Sequence, residues 1–210
     1  MIQAMTKKRS KNEIKRQQIL SAAISLFVEQ GYSATSMEQI AKNADVSKQT
    51  VYSHFGNKDD LFSASIEQKC ESLHILDLSM HDLSDPQDIL FQLAQRIIDI
   101  IVSKQTCAVH KICAFESNTY PQVSNIYYQS GPLRVTNEIT QLLEKLHQQK
   151  ILTIENPRHA ALQFLNMMKG ELWMQIEFNT KERISSKEVD EYLRDSVAFF
   201  IRGYAAVNKE

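Results

Sequence analysis

A short stretch of hydroxyl, amide, aromatic and basic side chains lies near residue 50 and has the chemistry needed to bind nucleic acid. Lys48 and Gln49 can reach base edges, since lysine suits guanine and glutamine suits adenine. Three side chains can donate hydrogen bonds to phosphate oxygens: Thr50, Tyr52 and His54. A purely structural role at the edge of a core is the alternative for Tyr52 and His54 taken alone.

The residues around this stretch predict two short helices joined by a polar corner. Thr35 stands three residues before Glu38, which is the spacing of a capping box at the start of a helix. Ser47 can cap a second helix with its hydroxyl. Val51 and Phe55 lie four residues apart and should face inward, so the polar side chains of that helix face outward. This pattern indicates a DNA-reading helix-turn-helix.

Charge is divided unevenly along the chain. Up to residue 58 there are nine Lys or Arg and four Asp or Glu, whereas the remainder has fifteen and 21. The first part therefore carries a net charge of +5 and the rest −6, although the whole chain carries −1. This asymmetry indicates two modules, of which the first has an anionic polymer as its partner. The basic residues between positions 7 and 16 form either an arm along the phosphates or a solvated terminus.

The stretch from about Arg16 to Leu61 resembles the N-terminal DNA-binding domain of the TetR/AcrR family, through ILSAAISLFVEQGY, TSMEQIAKNADVSKQTVYSHF and NKDDLF. The resemblance implies a ligand-responsive, sequence-specific transcriptional regulator. It places the DNA contacts at nine positions: Ser36, Met37, Ser47, Lys48, Gln49, Thr50, Tyr52, His54 and Lys58. Met37 departs from the family pattern, in which a hydroxyl residue is common at this position.

The composition predicts an all-α fold. Only five Gly and four Pro are present, and long Leu-, Ile- and Ala-rich stretches favour helices nearly throughout. We predict helices over 12–30, 36–43, 48–54, 58–80, 87–103, 107–117, 121–129, 132–149, 158–178 and 187–206. We expect a three-helix DNA-binding domain over 12–57, extending to about 72 with the start of the connecting helix. A larger helical ligand-binding and dimerisation domain should cover 58–207.

The second module is similar, over about residues 115–178, to the AefR-like C-terminal domain of a subset of these regulators. The similarity implies an all-helical domain that binds a small-molecule inducer and forms a homodimer. Dimerisation is expected through Leu165, Gly170, Leu172, Val197, Phe200 and Ile201, although these could be core residues of a monomer. Candidate pocket residues are Phe91, Ile98, Phe115, Tyr127, Tyr128, Phe164, Met167, Met168 and Trp173, each of which could instead be core.

Cys107, His110, Cys113 and Glu116 recur every third residue, and the first three raise the alternative of a thiol- or metal-responsive DNA-binding sensor. A helix turns by about 300° over three residues, so successive members diverge and cannot all face one ion. Two of them at a time could face the same ion. Plain buried cysteines are the structural alternative. No phosphate loop, nucleophile elbow or paired metal motif appears, so we expect no enzyme activity, cofactor or metal.

The remaining features bear on compartment and partners. The N-terminus is polar and basic, and the longest apolar run, near residues 97–102, is too short to span a bilayer. A cytoplasmic protein without a membrane partner is therefore expected, and three cysteines do not favour structural disulfides. The expected partners are double-stranded operator DNA with palindromic symmetry, an inducer of unknown identity, and a second copy of the chain. Repression is expected, and activation stays open.

Overall fold

The computed structural model describes residues 11–71, 85–180 and 185–205 of the chain. Within these ranges the regular secondary structure is helical, which confirms the all-α prediction. The α-helices are α1 (Lys11–Ala34), α2 (Met37–Asn43), α3 (Lys48–Phe55), α4 (Lys58–Glu71), α5 (Pro86–Ile101), α6 (Lys104–Phe115), α7 (Pro121–Tyr128), α8 (Arg134–Gln148), α9 (Pro157–Glu177) and α10 (Ser186–Tyr204). Every predicted helix start lies within three residues of the observed one. None of these described helices has the length and apolar character needed to cross a membrane.

The chain forms two compact units. Of the residues that the structure describes, unit one contains those up to Lys69 together with Ile112–Tyr127, and unit two contains those within Cys70–Lys111 and from Tyr128 onward. This grouping puts most of α4 in unit one, as the predicted extension to about residue 72 does, and adds the segment Ile112–Tyr127, which was predicted to lie in the second domain. The functional roles of the two predicted domains stay predictions.

The core of unit one is built from one face of α1 and the start of α4. Ile19, Ala23 and Phe27 are fully buried on α1, as the helical spacing of apolar residues predicts. The ring of Phe27 meets the ring of Phe62 edge-on at 5.1 Å. Tyr32 packs against the same two rings and is 1% exposed. This aromatic cluster joins α1, the turn that follows Gly31, and α4.

The start of α2 differs from the prediction by one residue. Ser36, and not Thr35, is the N-cap: its hydroxyl accepts from the backbone N–H of Gln39 at 3.2 Å, and the Gln39 side chain accepts from the Ser36 N–H at 2.8 Å. Thr35 is buried, and its hydroxyl donates to the Gly31 carbonyl at 2.7 Å. Gly31 has φ of +87°, which a side chain rarely allows, so it ends the regular part of α1 as predicted.

The core of unit two lies between α5, α8, α9 and α10. Its fully buried members include Leu93, Leu143, Phe164 and Leu193, one from each helix. The amphipathic pattern of α5 and α8 accounts for this arrangement, since their apolar residues recur on one side of the helix. An isolated antiparallel bridge between Leu152 and Ala205 joins the loop after α8 to the end of α10.

Helix α9 is kinked at Gly170, which has φ of +50°. Tyr192 of α10 packs against the kink, and its hydroxyl donates to the Met167 carbonyl at 2.7 Å. A Cβ atom at position 170 would lie 2.8 Å from the Tyr192 ring. The close approach that Gly170 permits is therefore to a helix of the same chain.

Candidate nucleic-acid interface

Helix α3 is anchored by its cap and by two buried side chains. The Ser47 hydroxyl accepts from the Thr50 N–H at 3.1 Å and exchanges a second hydrogen bond with the Thr50 hydroxyl at 2.8 Å. Val51 is 0% exposed and Phe55 7%. These observations confirm the predicted cap and the predicted inner face. The opposite face of the helix is consequently directed to solvent.

The outward face of α3 brings together three of the predicted DNA contacts. Lys48, Gln49 and Tyr52 are exposed, whereas Thr50 and His54 are half-buried. The Lys48 ammonium lies 5.8 Å from the centre of the Tyr52 ring, so a cation and a phenol share one surface. An amide, an ammonium and a phenol hydroxyl on an exposed helix can hydrogen-bond base edges and phosphates. Their contacts with DNA stay predictions.

Lys48 is paired with a carboxylate of the support helix. Its ammonium donates to Glu38 of α2, and both side chains are more than half exposed. The hydrogen bond to Glu38 and the charge of that carboxylate raise the pKa of Lys48. Sequence reasoning missed this pair, because residues ten apart become neighbours only after the corner between the helices folds. The predicted contact of Lys48 with DNA therefore requires that a phosphate or a base replace this carboxylate.

Lys58 is placed differently from the exposed set. Its ammonium donates to the carbonyls of Tyr32 at 2.9 Å and Thr35 at 3.1 Å, and it lies 4.2 Å from the centre of the Tyr32 ring. Burial lowers the pKa of Lys58, and the carboxylate of Glu116 opposes that shift. Two of the three ammonium hydrogens are thus directed at the backbone of unit one. A phosphate contact by Lys58 stays a prediction.

The remaining two predicted contacts lie at the start of α2. Met37 is 6% exposed and packs inward with Ile40 and Ala41, so the prediction that its side chain contacts DNA is wrong. The physical reason is that a thioether chain lacks the donor that a hydroxyl would offer and gains by burial. Ser36 uses its hydroxyl and its N–H in the capping box with Gln39.

Two family models match this chain. Residues 19–65 match the model described as bacterial regulatory proteins, tetR family. Residues 88–206, more than half of the chain, match the C-terminal domain of AefR-like transcriptional repressors. The chain belongs to the TetR family of transcriptional regulators. Proteins of this family are DNA-binding regulators and not enzymes, which confirms the expected absence of an enzyme activity.

Individual relatives support the same assignment. The transcriptional regulator AcrR of Shigella flexneri is 38% identical over 91 residues, which are 43% of this chain and 42% of AcrR. The chain thus matches less than half the length of that relative. The solved structure of the flavonoid-responsive regulator FrrA shares 31% identity and a TM-score of 0.77 over 92% of this chain and 98% of FrrA. A TetR-family regulator from Mesorhizobium loti, at 25% identity, has a TM-score of 0.82 over 94% of this chain and all of its own.

Unit two of this TetR-family chain contains a cleft of about 380 Å³ between α5, α9 and α10. Its apolar floor includes Ile98, Met168 and Leu193, and its polar edge includes Glu171 and Tyr192. Ile98 and Met168 are thus the predicted pocket residues that line it.

The other predicted pocket residues lie elsewhere. Phe164 is fully buried against Phe200, and Phe91 is buried under the guanidinium of Arg194 at 4.1 Å. Trp173 meets the ring of His110 at 5.0 Å. Phe115 is 87% exposed at the end of α6, and this exposure does not support its predicted place in a pocket. Met167 and Tyr127 are half-buried and Tyr128 is exposed, all three outside the lining of this cleft.

The predicted dimerisation residues divide into two groups. Val197 and Phe200 are 0% and 3% exposed within a single chain, so their assignment to an interface is wrong, and they belong to the core of unit two. Leu165, Gly170, Leu172 and Ile201 are half-buried. Large apolar side chains that are exposed on the same two helices are Leu162, Met174, Tyr192 and Phe199. The sequence analysis did not distinguish the buried face of α10 from its exposed face.

The cysteines of α6 do not have the surroundings of reactive thiols. Cys107 is buried, its sulfur donates to the Ile101 carbonyl at 3.0 Å, and burial raises its pKa. Burial raises the pKa of Cys113 to about 12. Six residues separate the two along one helix, a rise of about 9 Å, which is too far for a disulfide. Among the residues that the structure describes, no group of three His, Cys, Asp or Glu is placed to hold a metal.

Proposed function

We propose that this chain is a repressor that binds palindromic operator DNA as a homodimer and is released from it by a small molecule. The observation that carries the proposal is the anchored helix α3. Val51 and Phe55 bury one side of it, and Lys48, Gln49 and Tyr52 stand exposed on the other. A rigid helix with an exposed polar face is what the major groove of DNA admits.

The dimeric state follows from the length of the recognition helix. Helix α3 has eight residues and can contact only a few base pairs, so useful specificity needs two copies about 34 Å apart. Members of the TetR family usually act as homodimers. The exposed apolar side chains of α9 and α10, with Leu162 and Phe199 prominent, supply a surface that a second copy can cover. These residues take the place of Val197 and Phe200 in the proposed interface.

A small-molecule signal is supported by the cleft of unit two and by one relative. The cleft combines an apolar floor with carboxylate, amide and phenol groups at its edge, which suits a small amphipathic molecule. FrrA is named for its response to flavonoids. We extend to this chain the general property of response to a small molecule. Repression is supported by the AefR-like match, whose description is that of a repressor.

The mechanism we propose is a shift between two populations of the dimer. One population presents the two α3 helices at groove spacing, and the ligand binds the other population more tightly. Because the coupling free energy is shared by the two sites, operator DNA should weaken ligand binding by the same factor. A ligand that failed to lower operator affinity would not be the inducer, however tightly it bound.

The proposal is tested by selecting sequences that the purified chain retains from random duplex DNA. The expected product is a family of duplexes with two-fold symmetric half-sites. The retained duplex is then titrated with a panel of flavonoids and other small aromatic compounds, and release is followed by fluorescence anisotropy. Retention without any sequence preference would refute the assignment of operator binding. If the chain shows sequence preference but no compound releases it from DNA, operator binding stands and the proposed ligand response is refuted for that panel.

A further inference from the structure

A buried carboxylate from the middle of the chain contacts the turn that follows α1. Glu116 is 8% exposed and lies in the short 3₁₀ turn Glu116–Asn118, directly after α6. Its Oε1 accepts a hydrogen bond from the Ser33 hydroxyl at 2.7 Å and another from the Ser33 N–H at 3.3 Å. An ionised carboxylate is costly to bury, so these donors are needed to keep it there.

The carboxylate also acts on the cation that closes the same turn. The charges of Glu116 and Lys58 attract each other, and the Lys58 ammonium donates to the carbonyls of Tyr32 and Thr35. Tyr120, four residues after Glu116, meets the ring of Tyr32 edge-on at 5.3 Å. Residues 32–35 are therefore held by hydrogen bonds from Lys58 and to Glu116, and by the ring contact with Tyr120.

The held turn immediately precedes the support helix. Thr35 is followed by Ser36, which is the N-cap of α2, and the corner after α2 leads directly into α3. A displacement of residues 33–35 has to move Ser36 and the first turn of α2. Since α2 and α3 pack on each other as one motif, the orientation of α3 depends on this turn.

The carboxylate comes from a part of the sequence that matches another domain. Residue 116 lies within the 88–206 range of the AefR-like C-terminal model, yet Ile112–Tyr127 groups with unit one. Helix α6 begins in unit two at Lys104 and ends in unit one at Phe115, one residue before Glu116.

We propose that Glu116 is a positioning residue for DNA binding, whose carboxylate holds the turn between α1 and α2 and thereby sets the position of α3. The inference rests on the operator binding proposed above. It adds a residue of the segment Ile112–Tyr127 that holds the turn before the helix-turn-helix. Loss of the carboxylate should lower affinity for the operator, which requires a correctly placed α3. Affinity for unrelated duplex, which depends mainly on total charge, should change little.

The test compares Glu116→Ala, Glu116→Gln and Ser33→Ala with the wild-type chain. Dissociation constants for the selected operator and for an unrelated duplex are measured by fluorescence anisotropy, and amide hydrogen exchange is followed at Ser33. Glu116→Ala should weaken operator binding roughly tenfold and speed exchange at Ser33, since charged hydrogen bonds are lost. Glu116→Gln should weaken operator binding less, because its amide oxygen can still accept a hydrogen bond from Ser33. Glu138→Gln, which breaks the ion pair with Arg134 in unit two, is the matched control and should bind as the wild type does.

The outcomes separate the inference from the function on which it rests. Operator affinity within about twofold of wild type in both Glu116 variants would overturn the inference alone. Equal weakening of operator and unrelated duplex, together with a lower unfolding temperature, would also overturn it, because Glu116 would then be merely structural. If the wild-type chain prefers no duplex, the proposed operator binding fails and the inference fails with it.

Discussion

At the residue scale, the proposed role of the exposed face of α3 predicts how single substitutions change operator affinity. Tyr52→Phe removes a hydroxyl from that face and leaves the ring in place. We expect operator affinity to fall roughly five- to tenfold, the contribution of one typical hydrogen bond. Gel-shift titration measures the change. Tyr128→Phe, at an exposed tyrosine of unit two, is the control and should leave the affinity unaltered.

The ion pair of Lys48 and Glu38 predicts opposite effects for its two members. Glu38→Gln removes the carboxylate that competes with phosphate for the ammonium, so affinity for any duplex should rise severalfold. Lys48→Ala should lower affinity, and the slope of log K against log salt should decrease by about one. Titrations at several salt concentrations give both quantities. Equal slopes for wild type and Lys48→Ala would show that this lysine contacts no phosphate.

The buried thiols of α6 should resist modification in the folded chain. Burial raises the pKa values of Cys107 and Cys113, the latter to about 12, so the reactive thiolate is scarce at pH 8. In a Cys70→Ser background we expect slow labelling by a thiol reagent under native conditions and two labelled thiols in denaturant. Rapid native labelling, with release of DNA, would instead favour the thiol-responsive alternative.

At the element scale, helices were predictable where local signals decide their ends. Ser47 caps α3 as predicted, and every predicted helix start lies within three residues of the observed one. The prediction that Thr35 caps α2 was wrong, because the Thr35 hydroxyl donates to the Gly31 carbonyl in the folded chain and Ser36 is the N-cap. Met37 lay outside the family pattern, and its burial followed from its apolar side chain. Which face of α10 is interior could not be read from sequence, since Phe199 and Phe200 are equally apolar.

The kink of α9 predicts a sharp contrast between two glycines. Gly170→Ala places a Cβ atom 2.8 Å from the Tyr192 ring at a residue with φ of +50°, so it should destabilise unit two by about 2 kcal/mol or more. Gly203→Ala, on α10 with no atom within 4 Å, should stabilise by about 0.5–1 kcal/mol. Urea unfolding of both variants measures the difference. Similar stabilities for the two would contradict the kinked α9.

At the scale of the whole molecule, dimerisation should depend on exposed and not on buried apolar side chains. Phe199→Glu puts a charge on the exposed face of α10, where Phe199 is 62% exposed, and leaves the monomer core intact. We expect a monomer by analytical ultracentrifugation and weaker operator binding by more than tenfold, because two half-sites are no longer linked. Tyr128→Glu is the control and should stay dimeric. A dimeric Phe199→Glu variant would place the interface elsewhere.

The association of Ile112–Tyr127 with unit one was beyond sequence reasoning. Its contacts join residues more than 80 apart, as for Ser33 and Glu116, and no local pattern reports them. Of the residues that line the cleft of unit two, the sequence indicated only Ile98 and Met168, since the lining comes from three different helices. Charge asymmetry and the helix-turn-helix pattern, in contrast, are local properties of the chain, so the amino-acid sequence is enough to indicate a DNA-binding module.

The central claim, that α3 reads bases in a two-fold symmetric operator, is tested most directly by parallel selections from random DNA. Wild-type chain and Gln49→Ala are used, since Gln49 is exposed on α3 and suits adenine. We predict two inverted half-sites about one helical turn apart for the wild type. The variant should lose its base preference at one position in each half-site. A wild-type sequence without symmetry, or identical preferences in the two selections, would contradict the account.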